Sequence, residues 1–218
     1  TETELSRKDM RSVVLDVLGY ELTAQEKEVL AHPLVAGVIL FTRNFYNIKQ
    51  LKELITEIRF YAKKEIIIAV DHEGGRVQRF KEGFTILPAA GDLLAHSDFE
   101  EAKKLAYASA WVMASELIAC DIDFSFAPVL DINGISNVIG TRAFALQPEH
   151  VTELAGAYID GMNATGMAST GKHFPGHGSV KADSHVALPI DARDAIEIFN
   201  KDILPFKSLI AKGKLSAV

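Results

Sequence analysis

The stretch TGKHFPGHGSVKADSH at positions 170–185 sets His173, His177 and His185 close to Lys172 and Asp183. Seven histidines serve the whole chain, so three in one short stretch need a chemical explanation. Pro175, Gly176 and Gly178 work against helix and strand alike, which puts these side chains on a loop whose backbone can approach a ligand closely. Loops mounted on a rigid scaffold are where catalytic groups gather. Two chemistries fit the residue types. Asp183 and His185 can form a dyad in which the carboxylate orients the imidazole and supports its charged form. An unperturbed imidazole pKa of about 6.5 suits giving and retrieving a proton near neutrality. Alternatively, His173, His177, Asp183 and His185 can ligate a metal ion. Pro175 and Gly176, however, exclude the helix that would bring His173 and His177 onto one face.

Positioning such a loop requires a scaffold, and the apolar patterning specifies one. The runs Gly37–Phe41, Ile66–Val70 and Phe124–Leu130 are apolar without in/out alternation, as parallel strands covered on both faces are. Val13–Val17 and Met167–His173 are weaker strand candidates, and Pro128 predicts a bulge or strand end within the third run. Helical spacing fills the intervals. Thr23 and Glu26 form a capping box before Val29 and Leu30, with Pro33 beyond. Asn47 caps a helix whose one face carries Ile48, Leu51, Leu54, Ile55 and Ile58. Residues 99–119 form a long alanine-rich helix, and Pro148 opens another bearing Val151, Leu154, Ala155 and Tyr158. A last helical stretch follows Asp191 and is interrupted at Pro205.

Strand and helix in regular alternation predict a parallel sheet with right-handed crossovers, either open or closed. The polar residues choose between them. Asp71, Asp131 and the Lys172-His173 pair each end a different apolar run. Functional side chains spread over several strand ends indicate a (β/α)8 TIM barrel rather than an open sheet with one switch point. Five strands can be counted, and 214–218 reads as the start of a sixth. A barrel needs eight strands and about 250 residues, so positions 1–218 are expected to be a single barrel domain broken off within its sixth strand.

Bulk properties narrow the function class. The net charge of −6, with no dense basic run, argues against a nucleic-acid partner. No apolar run reaches membrane-spanning length, and the first residues lack a signal-peptide core. Cys120 is the lone cysteine, so no intrachain disulfide can form. A cytoplasmic protein without membrane contact is the expectation.

Four blocks together resemble family 3 of the glycoside hydrolases, and more narrowly its bacterial β-N-acetylglucosaminidases of peptidoglycan recycling. They are GVILFTRN at 37–44, AVDHEGGRVQRF at 69–80, FAPVLDINGISNVIGTRAF at 126–144, and KHFPGHG at 172–178 followed by DSH at 183–185. The resemblance implies a TIM barrel that removes terminal N-acetylglucosamine with retention of configuration; with the histidines given to proton transfer and sugar contacts, no cofactor or metal is expected. It makes His185 the general acid and then base, and Asp183 its partner. It makes Asp71, Arg79, Arg142, Lys172 and His173 the residues that hold the sugar hydroxyls and N-acetyl group. His72 stands where the family usually has glutamine, and Thr141 where an acidic residue often precedes Arg142, which bears on fine specificity. The family nucleophile is an aspartate on a later strand that no aspartate here matches, so 1–218 alone is expected to be inactive. Competing expectations are a sugar-binding protein without turnover and a metal-dependent hydrolase.

Overall fold

The computed structural model describes residues 12–181 and 188–218. In chain order its strands are β1 (Val13–Leu15), β2 (Val35–Leu40), β3 (Ile67–Val70), β4 (His72–Gly74), β5 (Val77–Gln78) and β6 (Phe124–Ser125). β1, β2, β3 and β6 lie side by side in that order, and every pair is parallel. β4 and β5 form a separate antiparallel hairpin directly after β3.

The wall continues past β6 through single bridges. Thr170 N–H donates to the Ala127 carbonyl at 2.8 Å, and Leu130 N–H donates to the Lys172 carbonyl at 2.7 Å. Gly171 N–H then donates to the Ala217 carbonyl at 3.0 Å, and Ala217 N–H returns to the Ser169 carbonyl at 3.1 Å. Both bridges are parallel. Each new segment thus pairs with the one before it, with no reversal of order. A doubly wound sheet reverses at its switch point, whereas a (β/α) barrel adds strands in sequence. The described residues therefore build barrel wall.

Apolar continuity places these strands correctly but overstates their length. The ladder expected over Phe124–Leu130 covers only Phe124–Ser125, because Ala127 N–H turns back to the Ser125 carbonyl and Pro128 has no N–H to give. The runs near 167–173 and 214–218 make bridges rather than regular strands, and the run at 13–17 is a strand only to Leu15. The β4–β5 hairpin lies outside the strands that apolar runs reveal.

Helices cover the outer face. They are α1 (Ala24–Leu30), α2 (Ile48–Ala62), α3 (Ala90–Ala95), α4 (Phe99–Ile118), α5 (Pro148–Ala164), α6 (Ala195–Asn200) and α7 (Leu204–Ala211). The capping box at α1 is present, with Thr23 accepting from Glu26 N–H and Glu26 accepting from Thr23 N–H at 2.8 Å. Asn47 caps α2, and Leu51, Leu54, Ile55 and Ile58 are buried as the spacing requires. Pro205 does not interrupt a helix. The break falls at Lys201–Ile203, and Pro205 opens α7, where its missing N–H costs nothing. The core lies between wall and helices, with Val38, Leu40, Ile68 and Val70 meeting Met113, Leu117 and Leu154 in one cluster. α4 and α5 touch closely at Gly161, where a Cβ would sit 2.2 Å from the Tyr107 carbonyl oxygen. No helix among the described residues is long and apolar enough to cross a membrane.

Candidate active site

Four segments converge above the strand ends. β3 delivers Asp71, and the hairpin after it delivers Glu73 and Arg79. A short 3₁₀ turn, Gly140–Arg142, presents Arg142, and the bridged segment beside Val129 presents Lys172 and His173. Strand alternation puts Asp71 and Glu73 on one side and His72 on the other.

The charges meet at contact distance. Lys172 Nζ lies 2.7 Å from Asp71 Oδ1 and 2.6 Å from Glu73 Oε1. Arg142 grips Glu73 with both arms of its fork, Nε donating to Oε2 at 2.8 Å and Nη2 to Oε1 at 2.7 Å. Arg79 stands 3.6 Å from Asp71. The Glu73 side chain is 9% exposed and that of Arg142 10%, so this pair is screened little by solvent. Burial raises the Asp71 carboxyl pKa, but Lys172, Arg79 and Arg142 outweigh it and hold the group below the ordinary carboxylate value. Burial acts on Glu73 in the same way, and Arg142 and Lys172 again reverse it. Both carboxylates are therefore ionised acceptors at neutral pH.

A second buried carboxylate orders the imidazole. Asp131 is fully buried and accepts three donors: His173 Nδ1 at 2.6 Å, His177 N–H at 2.7 Å and His173 N–H at 3.3 Å. His173 Nε2 lies 3.4 Å from Arg142 Nη2. A neutral ring with its proton on Nδ1 satisfies both contacts, donating to Asp131 and accepting from Arg142. The Lys172–His173 peptide bond is cis.

A cleft of about 570 Å³ opens beside these groups. Asp71, Arg79, Arg142, Lys172 and His173 all line it, along with the apolar Phe41 and Phe126. Ammonium and guanidinium donors beside a carboxylate acceptor, over apolar rings, match a ligand with many hydroxyls, a carbonyl and apolar C–H faces. All five sugar-contact candidates are thus assembled in one place. Asp183 and His185 lie outside the described residues. Glu73 escaped the sequence reading although its spacing from Asp71 put it on the same face. Asp131 was legible only as a strand-end residue, not as the partner of His173.

One departure from the family pattern finds its place, and one expectation needs correction. His72 does not face the cleft. It is 1% exposed, packs at 5.7 Å from both the Phe80 and Phe84 rings, and donates its N–H to Ser125 Oγ. Burial first, and Arg79 second, lower its pKa to about 4, so the ring is neutral core. A residue pointing away from the cleft does not touch the ligand directly. The loop glycines also serve a different purpose from close approach to ligand. A Cβ on Gly178 would fall 1.7 Å from the Ile132 carbonyl oxygen, and one on Gly176 (φ +130°) would fall 2.7 Å from Asp202 Cβ. They let the loop lie against its own protein. Among the described residues no group of three or more potential ligands is placed to hold a metal ion.

The fold and site define a (β/α)-barrel protein with a charged, carbohydrate-compatible cleft at the carboxyl ends of its strands. The chain belongs to glycosyl hydrolase family 3: residues 5–218 match the family described as Glycosyl hydrolase family 3 N terminal domain. A β-hexosaminidase of Psychromonas ingrahamii is 67% identical over 209 residues, which is 96% of this chain and 62% of that protein. The chain therefore spans about three fifths of the length of that curated relative. The structure of NagZ from Neisseria gonorrhoeae in complex with N-trifluoroacetyl-D-glucosamine superposes with a TM-score of 0.90 at 47% identity, covering 96% of this chain and 63% of that one. The same Neisseria protein in complex with zinc ion gives a TM-score of 0.90 at 46% identity, over 96% and 63% of the two chains.

Removing one partner from a buried ion pair costs about 3–5 kcal/mol, because the other charge is left uncompensated. Glu73→Gln should therefore lower the unfolding free energy by that order, measured by urea denaturation at pH 7. Both carboxylates have lowered folded-state pKa values, so their stabilisation is present above their unfolded values of about 4 and is lost as pH falls through the folded ones. Stability should fall on acidification below about pH 4, and Glu73→Gln should flatten that decline. An unchanged acid limb would contradict the assignment.

Proposed function

We propose that this protein is a retaining exo-β-N-acetylglucosaminidase. On this reading it removes terminal, non-reducing β-1,4-linked N-acetylglucosamine from anhydromuramyl muropeptides in the cytoplasm, during cell-wall recycling. The observation that carries this reading is the cleft whose lining cations Lys172 and Arg142 are held by ion pairs to Asp71 and to Glu73 beside it. Support also comes from the family itself and from the relative solved with an N-acylated glucosamine in its complex.

In this reading Asp71 accepts hydrogen bonds from sugar hydroxyls, and Lys172, Arg79 and Arg142 donate to hydroxyls and to the N-acetyl carbonyl. His173, held by Asp131, adds a fixed imidazole edge. Their ion pairs keep the donors preorganised, so little reorganisation is needed when sugar displaces water. His185, supported by Asp183, protonates the glycosidic oxygen as a carboxylate attacks the anomeric carbon. It then takes a proton from the water that releases the sugar. The attacking carboxylate is proposed to come from the part of the full-length protein corresponding to the stretch of the longer relatives that this chain does not span. A second reading, sugar binding without turnover, fits positions 1–218 by themselves, since they supply contacts without a matching nucleophile.

Three outcomes test the proposal. In the full-length protein, His185→Ala should cripple cleavage of substrates with poor leaving groups. Activated aryl glycosides, whose departing oxygen needs less protonation, should lose much less. Equal loss on both would remove His185 from the acid role. Turnover should survive prolonged chelation, since the histidines are assigned to proton transfer and sugar contacts. Loss under chelator and recovery with zinc would favour the metal-dependent alternative. A polypeptide of residues 1–218 should bind N-acetylglucosamine yet not hydrolyse its aryl glycosides at a normal rate. Full activity from a soluble monomer would overturn the placement of the nucleophile.

A further inference from the structure

Asp202 lies in the short link between α6 and α7 and is 1% exposed, an unusual place for a carboxylate. Its oxygens are satisfied by two residues outside that link, Ser179 twenty-three positions before it and Arg193 nine. Oδ1 accepts from Ser179 Oγ at 3.2 Å, and Oδ2 accepts from Arg193 Nη1 at 2.8 Å. Gly176 packs onto its Cβ, where no other residue would fit. Arg193 is itself fixed by Asp191, which accepts from Nε at 3.0 Å, from Nη2 at 2.6 Å and from the backbone N–H at 3.1 Å. The residues between the two contacts of Asp202, 180–192, include Asp183 and His185. Neither Asp202, Ser179 nor Arg193 lines the sugar cleft.

A buried carboxylate costs several kcal/mol unless paired and hydrogen-bonded, so a helix link needing only packing is better served by a neutral side chain. Here the compensation comes from the two ends of one segment. We propose that Asp202 is a positioning residue for proton transfer, binding Ser179 and Arg193 so as to fix both feet of the segment that carries Asp183 and His185. Fixing the ends of a chain segment reduces the conformations open to it. A proton donor gains its rate advantage by being held near the atom it serves. Asp202 acts on the reaction only through His185. The proposal therefore rests on the acid/base reading of His185.

The test uses the full-length protein carrying Asp202→Asn, Ser179→Ala or Arg193→Lys, each alone and combined with His185→Ala. Asp202→Asn keeps the volume but loses the charge that holds Arg193. It should lower kcat about tenfold or more on a substrate with a poor leaving group, with a smaller loss on an activated aryl glycoside. KM should change little, because the cleft residues are untouched. In the His185→Ala background the same substitution should cause no further loss, since residues acting as one unit are not additive. Ser179→Ala and Arg193→Lys should show the same leaving-group pattern more weakly. They carry the test if Asp202→Asn does not fold. Equal losses on both substrates, or a further loss on top of His185→Ala, would reduce Asp202 to a structural anchor and overturn the proposal. If His185→Ala shows no leaving-group dependence, the acid/base reading fails first and the proposal falls with it. If His185→Ala shows it and the three loop-foot variants do not, only the proposal fails.

Discussion

The buried fork between Arg142 and Glu73, shared with Lys172, is the constraint on which the rest of the site depends. Its members come from the hairpin after β3, from the turn at 140–142 and from the segment bridged to Val129. Each ion, once removed from water, must find its partner in place or the fold loses several kcal/mol. The charges therefore hold the backbone in register where the ladder is weak. β6 is only two residues long, and beyond it the wall is carried by isolated bridges. Apolar packing between helices and wall keeps the layers together, but it does not specify which polar side chain meets which. Directional, charge-assisted hydrogen bonds do.

The same economy of position appears around Asp131. One buried carboxylate takes three donors from the 173–177 loop and so sets both the ring of His173 and the path of the backbone toward His177. Gly178 then lies on the Ile132 carbonyl, and the Gly178 carbonyl accepts from Ser136 N–H at 3.1 Å. The loop is thus seated on the neighbouring strand-end loop from its first residues onward. Asp202 adds a contact one residue further along, accepting from Ser179 Oγ. The residues that line the cleft rest on the barrel wall, and the loop that follows them rests on other loops and on the α6–α7 link.

His72 illustrates how a departure from a family pattern acquires meaning only in three dimensions. Beside Asp71 in sequence it reads only as a departure that bears on fine specificity. Strand alternation turns it into the core instead, where Phe80 and Phe84 surround it and burial keeps it neutral. The change alters packing behind the site, while Asp71 and Glu73 on the other face keep their partners.

By itself the sequence determined the alternation of strand and helix, the caps at Thr23 and Asn47, the barrel class and the list Asp71, Arg79, Arg142, Lys172 and His173. The elements and the barrel class follow from local rules: periodicity, capping chemistry, and polar residues placed after apolar runs; the list of residues rests on the resemblance of four motif blocks to the family. Only the tertiary structure decided that Phe124–Leu130 is mostly not ladder, that Pro205 opens a helix rather than breaking one, and that Glu73 and Asp131 hold the site in place. Pairing between residues 69 positions apart, as for Glu73 and Arg142, leaves no mark in local pattern. A buried carboxylate reads like any surface acid until the fold closes around it. The desolvation that makes such a pair strong exists only once distant segments have met, and this is why composition and spacing locate the site while tertiary contact sets its geometry.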